Sequence, residues 1–174
     1  MIKFKNSFIY KLLKYIYQFF LTVYIFDSNI KFRKINKKGK LIFFIKSIKE
    51  AEKNSFLKNY FYKNNFKLKR FNEGSKFIGL RNKNEIIVSG WIYFGNKWVI
   101  EEVNKEIRLN KRYLLYDFLT EKRFRNKGYY KLLLKTILNK FNKKKFTIYA
   151  LSNNNKSIRA IEKSGFMFVK KISK

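Results

Sequence analysis

The chain has 174 residues, with 42 Lys+Arg against 11 Asp+Glu, for a formal charge of +31. It contains no His, Cys or Pro, which excludes Ser-His and Cys-His nucleophile relays, zinc fingers, iron–sulfur clusters and disulfide frameworks. A hydrophobic fraction of 46% and an aromatic fraction of 20% exclude a disordered basic tail and fit a domain with a real core.

Residues 4–26 read as an amphipathic helix. Lys3, Ser7, Lys11, Lys14, Gln18 and Thr22 fall within an arc of about 100° on a helical wheel, and most of the remaining circumference is apolar. The uncharged run from Tyr15 to Phe26 is shorter than the roughly 20 residues of a spanning helix, and no small-residue cleavage site marks a signal peptide. Two readings stay open: a helix packed on the domain or a partner, and an interfacial helix in peripheral contact with a membrane. We therefore divide the chain into a basic amphipathic helix over residues 1–28 and a domain over 29–174.

Short apolar runs at 30–35 and 41–45 read as strands. Residues 47–62 read as a helix, with Ser47 and Glu50 at capping-box spacing, and 64–75 as a loop. Four strands then follow at 76–80, 85–94, 98–109 and 113–120, separated by turn-like residues including Gly95-Asn96 and Asn110-Lys111. This is the pattern of an antiparallel meander. A helix over 126–141, a strand at 146–151, a helix over 155–163 stopped by Gly165 and a strand at 166–172 complete the chain. The fold class is α+β.

The charge fits a surface that attracts polyanions. It equally fits an AT-rich gene, whose codons favour Lys, Asn, Ile, Phe and Tyr. Lys runs through every segment instead of gathering on one face, so nucleic acid is disfavoured as a partner. One local patch stands out. A strand ending at Thr120 leads through Glu121-Lys122-Arg123-Phe124 and Arg125-Asn126-Lys127-Gly128 into an apolar helix. Such a turn can aim backbone N–H groups and a helix dipole at one point, which suits a phosphate or pyrophosphate. Gly128 would keep a Cβ out of the ligand's way.

Arg125-Asn126-Lys127-Gly128 resembles the Arg/Gln-x-x-Gly-x-Gly/Ala signature of the GNAT superfamily of acyl-CoA-dependent N-acyltransferases. The stretch from Asn154 to Phe166, an Asn, a short helix and a terminal Gly-Phe, is similar to that family's second signature. The order of elements over 76–172 matches as well. The resemblance implies a mixed, mostly antiparallel central sheet flanked by helices, here with the extra N-terminal helix. It implies acetyl-CoA as co-substrate and a small amine as acceptor. Arg125, Asn126, Lys127, Gly128, Tyr129 and Tyr130 would hold the pyrophosphate, and the strand edge at Phe118, Leu119 and Thr120 would pair with the pantetheine arm. That strand and the 146–151 strand would splay apart around the acyl-CoA, with Asn154 touching the cofactor; an N-cap role suits Asn154 equally. The phrase Asp-Phe-Leu-Thr followed by Gly-Tyr-Tyr further resembles members associated with polysaccharide or amino-sugar biosynthesis, which makes a nucleotide-linked amino sugar one candidate acceptor. A peptide stays open beside it, and a polyamine is disfavoured because the +31 charge repels a cation.

There are departures. Tyr130 replaces the signature's last small residue. Ile161 stands where many members have a Tyr proposed to protonate the departing thiolate, so water or another Tyr would serve, or the thiolate would leave unassisted. A single strand fits after Gly165 where the usual fold has two, leaving an edge for the N-terminal helix or the early strands to cover.

Amide formation is helped by a base that takes the amine proton. Asp117, in an apolar strand beside the expected wedge, is one candidate, and a structural acid paired with Lys or Arg is the other reading of it. Glu101 and Glu102, taken as mid-strand residues on opposite faces, are candidates too, against a reading as exposed strand carboxylates. Trp91 and Trp98 read as core or as pocket lining. No metal site is expected. The function expected is direct transfer of an acetyl group to a primary amine in a ternary complex, in the cytoplasm or at the inner face of the membrane. The alternative is a non-catalytic basic module for nucleic acid or acidic polymer.

Overall fold

A computed structural model describes residues 21–28, 41–53, 55–63, 68–82 and 85–174. The elements are β1 (Thr22–Ser28), β2 (Leu41–Ile45), α1 (Ile48–Glu52), α2 (Ser55–Lys63), β3 (Ser75–Asn82), β4 (Glu85–Tyr93), β5 (Lys97–Ile100), β6 (Lys105–Arg108), β7 (Tyr113–Thr120), α3 (Tyr129–Lys140), β8 (Phe146–Leu151), α4 (Asn155–Glu162) and β9 (Phe166–Ser173). Single 3-10 turns lie at Leu68–Phe71 and Lys122–Phe124.

Seven strands form one sheet in the order β2-β3-β4-β7-β8-β1-β9. Every pairing is antiparallel except β7 with β8. Alternation along the strands feeds two apolar layers. On one face Val23, Ile25, Phe77, Trp91 and Leu114 pack with Ala51, Leu57 and Phe61 of α1 and α2, and with Ile100, Val103 and Ile107 of the β5–β6 hairpin. On the other, Phe26, Ile78, Ile92, Leu115 and Ile148 pack with Leu133, Leu134 and Ile137 of α3 and Ile161 of α4.

The N-terminal helix expected over 4–26 is corrected at its far end, since residues 22–28 are a strand. Val23 and Ile25 face one layer while Phe26 faces the other, so both sides of β1 are buried and its sequence is a nearly unbroken apolar run. A helical wheel accepts such a run as readily as a strand does. The boundary of the expected 1–28 segment moves accordingly. Residues 1–20, and the strand expected at 30–35, lie outside the described residues. No helix among the described residues is long and apolar enough to cross a membrane.

β1 also answers the missing-strand departure. It inserts between β8 and β9, pairing with both, so an early strand covers the edge that one C-terminal strand leaves. The expected helix over 47–62 is two, α1 and α2. Ser47 caps α1 by accepting from the Glu50 N–H at 3.2 Å, while the Glu50 carboxylate accepts from the Lys46 N–H at 2.8 Å.

The expected strand over 98–109 is a hairpin. β5 and β6 form their own two-stranded sheet, and residues 101–104 are the turn between them. Asn104 takes the left-handed conformation at φ 51°, which Asn tolerates far better than a β-branched residue would. Val103, fully buried, anchors the turn to the core. At Asn110-Lys111 the expected turn is present, with both residues at positive φ and the Arg112 N–H donating to the Leu109 carbonyl at 2.8 Å.

Candidate acyl-CoA site

β7 and β8 pair in parallel from Tyr113↔Phe146 to Leu115↔Ile148 and then part. The cause lies on β7's other side. Trp91 of β4 stands opposite Tyr116, yet Ser89 stands opposite Leu119, so Asp117 and Phe118 together face Gly90 in a bulge. Asp117 has φ 49°; a non-glycine residue held there costs on the order of 1–2 kcal/mol. Within the bulge Phe118 folds over Gly90, where an added Cβ would come within 2.5 Å of its ring. Bulges bend a strand and strengthen its twist, and this one turns the end of β7 away from β8.

A cleft of about 570 Å³ opens at this divergence. All of the expected cofactor residues except Lys127 line it: Phe118, Leu119 and Thr120 from β7, Arg125, Asn126, Gly128, Tyr129 and Tyr130 from the basic turn and first turn of α3, and Asn154 before α4. Asn126 and Gly128 both take positive φ, 61° and 75°, and the space beyond the Gly128 Cα is open. No side chain caps α3 at Gly128, and no acid sits in the first turn of α3 or α4. The Arg125 Nε–H donates to the Thr120 carbonyl at 3.0 Å, tying the basic turn to the end of β7. Lys127 instead sits 5.9 Å from the Phe124 ring centroid, and Arg123 pairs with Glu85 and stacks on Phe124.

Lys131, Lys156 and Arg159 join the cleft as cations that the sequence does not single out, and no carboxylate lines it among the described residues. Lys156 and Arg159 lie inside the second signature, where their spacing puts them one helical turn apart. A concave lining whose charged residues are all cationic, with two helix N-termini, suits a polyanion such as the phosphate groups of CoA. Asn154 accepts the Ser157 N–H at 3.1 Å, so its cap role is present, and it lines the cleft as well.

The acids lie on the other face of the sheet. Glu101 and Glu102 are in the β5–β6 turn, not mid-strand as expected. Glu101 is exposed and Glu102 half-buried, because the turn is not a pleat and alternation does not apply. Burial is the main force raising the Glu102 carboxyl above its ordinary range, with the charges of Asp117 and Glu101 adding to it. Its Oε2 is buried with no hydrogen-bond partner among the described residues. Glu102 also acts on Tyr149 of β8, whose hydroxyl is pushed up mainly by burial and then by this charge. So the Glu102 charge is coupled to both strands that part, to Asp117 on one and Tyr149 on the other.

Asp117 is not buried in an apolar strand, as expected. It is half exposed, and Arg70 Nη2 donates to its Oδ2 at 2.6 Å. Trp91 is core, fully buried against Phe71 and Phe77. Trp98 stacks on Tyr116 at 4.4 Å between centroids and lies close to Tyr149, so it borders this second region.

Two further groups, Tyr60 of α2 and Ser89 of β4, went unnoticed in the sequence, and Glu121, named there only as part of the basic turn, joins them. The Tyr60 hydroxyl lies 3.1 Å from the fully buried Ser89 Oγ. Burial raises its pKa, and the Glu121 carboxylate beside it raises it further. Glu121 follows the last residue of β7, the one sequence cue available. Ile161 is fully buried in the core. Tyr130 lines the cleft, but burial raises its hydroxyl well above the ordinary tyrosine value, and Tyr116, bonded to Ser75 at 2.8 Å, is pushed up to about 12.

The model of the acetyltransferase (GNAT) family matches residues 44–166. No curated protein matches the chain. Among solved structures, the chain is similar to a GNAT-family acetyltransferase from Colwellia psychrerythraea, with a TM-score of 0.56 and 15% identity over 86% of this chain and 53% of that one. It is similar to a putative GNAT acetyltransferase from Novosphingobium aromaticivorans, with a TM-score of 0.58 and 9% identity over 87% and 61%. A tandem GNAT protein from the clavulanic acid biosynthesis pathway gives 0.51 and 10% over 87% and 51%. The chain thus spans about half to three-fifths of the length of these structures. The fold is the mixed, mostly antiparallel one that the resemblance implied, and acetyl-CoA is the co-substrate that members of the family use. The chain belongs to the GNAT family of acetyltransferases.

Proposed function

We propose that the protein transfers an acetyl group from acetyl-CoA to a primary amine by direct attack in a ternary complex. The observation that carries this reading is the parting of β7 from β8, with a cleft whose charged residues are all cationic on one face of the gap and, on the other, the Glu102 carboxylate, one oxygen of which has no partner among the described residues. A thioester lying in the gap would be open to an amine arriving from the Glu102 side. The amine nitrogen bonds to the thioester carbon, its proton passes to Glu102, and the carbon–sulfur bond breaks with its electron pair on sulfur.

Glu102 suits the base better than Asp117 does. Its raised pKa brings it closer to the working pH, where a general base is most effective, and one of its oxygens has no other partner. Asp117 is engaged by Arg70. Burial shifts Tyr130 and Tyr149 upward, away from a thiol's value near 8.5, which makes each a weaker acid toward the leaving sulfur. The thiolate leaves unassisted and takes its proton from solvent.

A nucleotide-linked amino sugar remains the acceptor suggested by the Asp-Phe-Leu-Thr phrase; the comparisons support the family and not that branch. The family match does not favour a non-catalytic basic module. Calorimetric titration with acetyl-CoA tests the reading. Saturable binding that is lost in Gly128→Val is expected, and failure of acetyl-CoA and of longer acyl-CoAs to bind the folded protein would overturn it.

A further inference from the structure

Arg70 reaches the site from far away in the chain. It lies in the 3-10 turn Leu68–Phe71, outside both signatures. Its side chain is 16% exposed and is held on three sides. The guanidinium carbon lies 5.5 Å from the Trp91 ring centroid and 5.2 Å from that of Tyr116. Nη2 donates to Asp117 Oδ2 at 2.6 Å. Both rings flank the bulge directly, since Trp91 and Tyr116 are the last register pair before it.

Asp117 is the left-handed residue of that bulge, at φ 49°. Asp visits this region more readily than most residues but still at a cost. Such a conformation persists where its surroundings determine it. The surroundings here are the Arg70 guanidinium, itself stacked in place. The next residue, Phe118, lies over Gly90 and packs on Tyr130 at 5.3 Å between centroids, and both rings line the cleft.

We infer that Arg70 is a positioning residue: by gripping Asp117 it fixes the β7 bulge and so holds the Phe118, Leu119 and Thr120 edge open for acyl-CoA. The inference rests on the reading of the cleft as an acyl-CoA site. Arg70 touches no reacting atom. Its geometric contribution is a planar fork that can stack on two rings while donating in its own plane, which a lysine ammonium cannot do.

The test separates the grip from the cofactor. Hydrogen exchange of the amides of residues 117–120 reads the bulge in the ligand-free protein, and an acetyl-CoA titration reads its consequence. Arg70→Gln should speed exchange there and weaken acetyl-CoA binding by about tenfold each, the scale of a left-handed penalty no longer offset. Asp117→Gly supplies a residue that adopts positive φ without help. Added to Arg70→Gln, it should return both readouts to near the parent values. A merely structural role for Arg70 would give no such rescue. Arg70→Lys carries the same comparison should the Gln variant lose its cooperative melt. Unchanged exchange and binding in Arg70→Gln, or a double variant as impaired as the single, would overturn the inference. If the parent protein binds no acyl-CoA, the cleft reading falls and the cofactor half of the inference with it. The exchange arm still decides whether the grip exists.

Discussion

On the α3 and α4 face of the sheet, the cleft is built largely from backbone. A bulge, two residues at positive φ and two uncapped or lightly capped helix starts shape it, and the cations around it come from a few contiguous stretches. On the opposite face the chemistry is built from side chains that meet only in three dimensions: Arg70 from a 3-10 turn, Glu102 from a hairpin, Tyr60 from α2 and Tyr149 from β8. On the function proposed above, the contrast teaches that binding a large, invariant anion needs local geometry, whereas activating a nucleophile needs one carboxylate with the right burial. Local geometry is written in short sequence motifs, and burial is not.

The sharpest way to break this division is Glu102→Gln. It should lower the turnover number by about 10²–10⁴, the usual contribution of a general base, while leaving acetyl-CoA affinity intact. Steady-state kinetics with a reactive amine, alongside calorimetry, would show the split. Equal loss of binding and turnover would show that the two faces are not separable. The same variant carries a stability signature. A carboxyl whose folded pKa is raised favours the native state while protonated, and that contribution is lost as pH rises from the unfolded value through the folded one. At neutral pH the charge therefore opposes folding. Glu102→Gln should melt higher than the parent at pH 7, and the gain should vanish below about pH 4, where both forms are protonated.

Gly128→Val comes next. A β-branched residue at φ 75° is strained, and its side chain enters open space at the basic turn. Acetyl-CoA affinity should fall by at least about tenfold on the strain alone, with the Glu102 carboxyl titrating as in the parent by NMR. Gly90→Ala would link the two faces, because the new methyl drives into the Phe118 ring. Overpacking of this kind costs about 1–3 kcal/mol, read by chemical denaturation, and cofactor binding should weaken with it. Asn154→Ala is the mildest. Losing the cap should cost about 1 kcal/mol, and an affinity loss beyond that destabilisation would show Asn154 contributing to the ligand directly.

The first face was legible because the two signatures and their intervening elements are contiguous. The Gly128 turn, the strand at 146–151 and the helix stopped by Gly165 follow from local pattern, and the parting of the strands was implied by the family resemblance those motifs carry. On the second face, alternation suggested a strand through Glu101 and Glu102. The run from Trp98 to Leu109 does carry strand-like residues, and the turn is betrayed only by Asn104 behind two acids. Arg70 and Tyr60 carried no sequence signal, since nothing local distinguishes an arginine that stacks in a groove from one that points to water. Thr22 to Phe26 were misread for a different reason. A strand buried on both faces shows no period of two, and its apolar run was absorbed into the amphipathic pattern that precedes it.

β1 threads between two strands that the ribosome makes much later. The Phe146 amide that donates to the Ser28 hydroxyl is 118 residues downstream, a delay of roughly 6–24 s at ordinary synthesis rates. For that interval β1 is an apolar strand with neither edge satisfied. Pairing over such sequence separations raises contact order and slows folding. The β8–β9 end of this sheet is thus completed by its earliest described strand only after translation has passed both of them. Chaperone dependence during expression, relieved by circular permutants that bring β1 next to β9 in sequence, is the behaviour this topology leads us to expect.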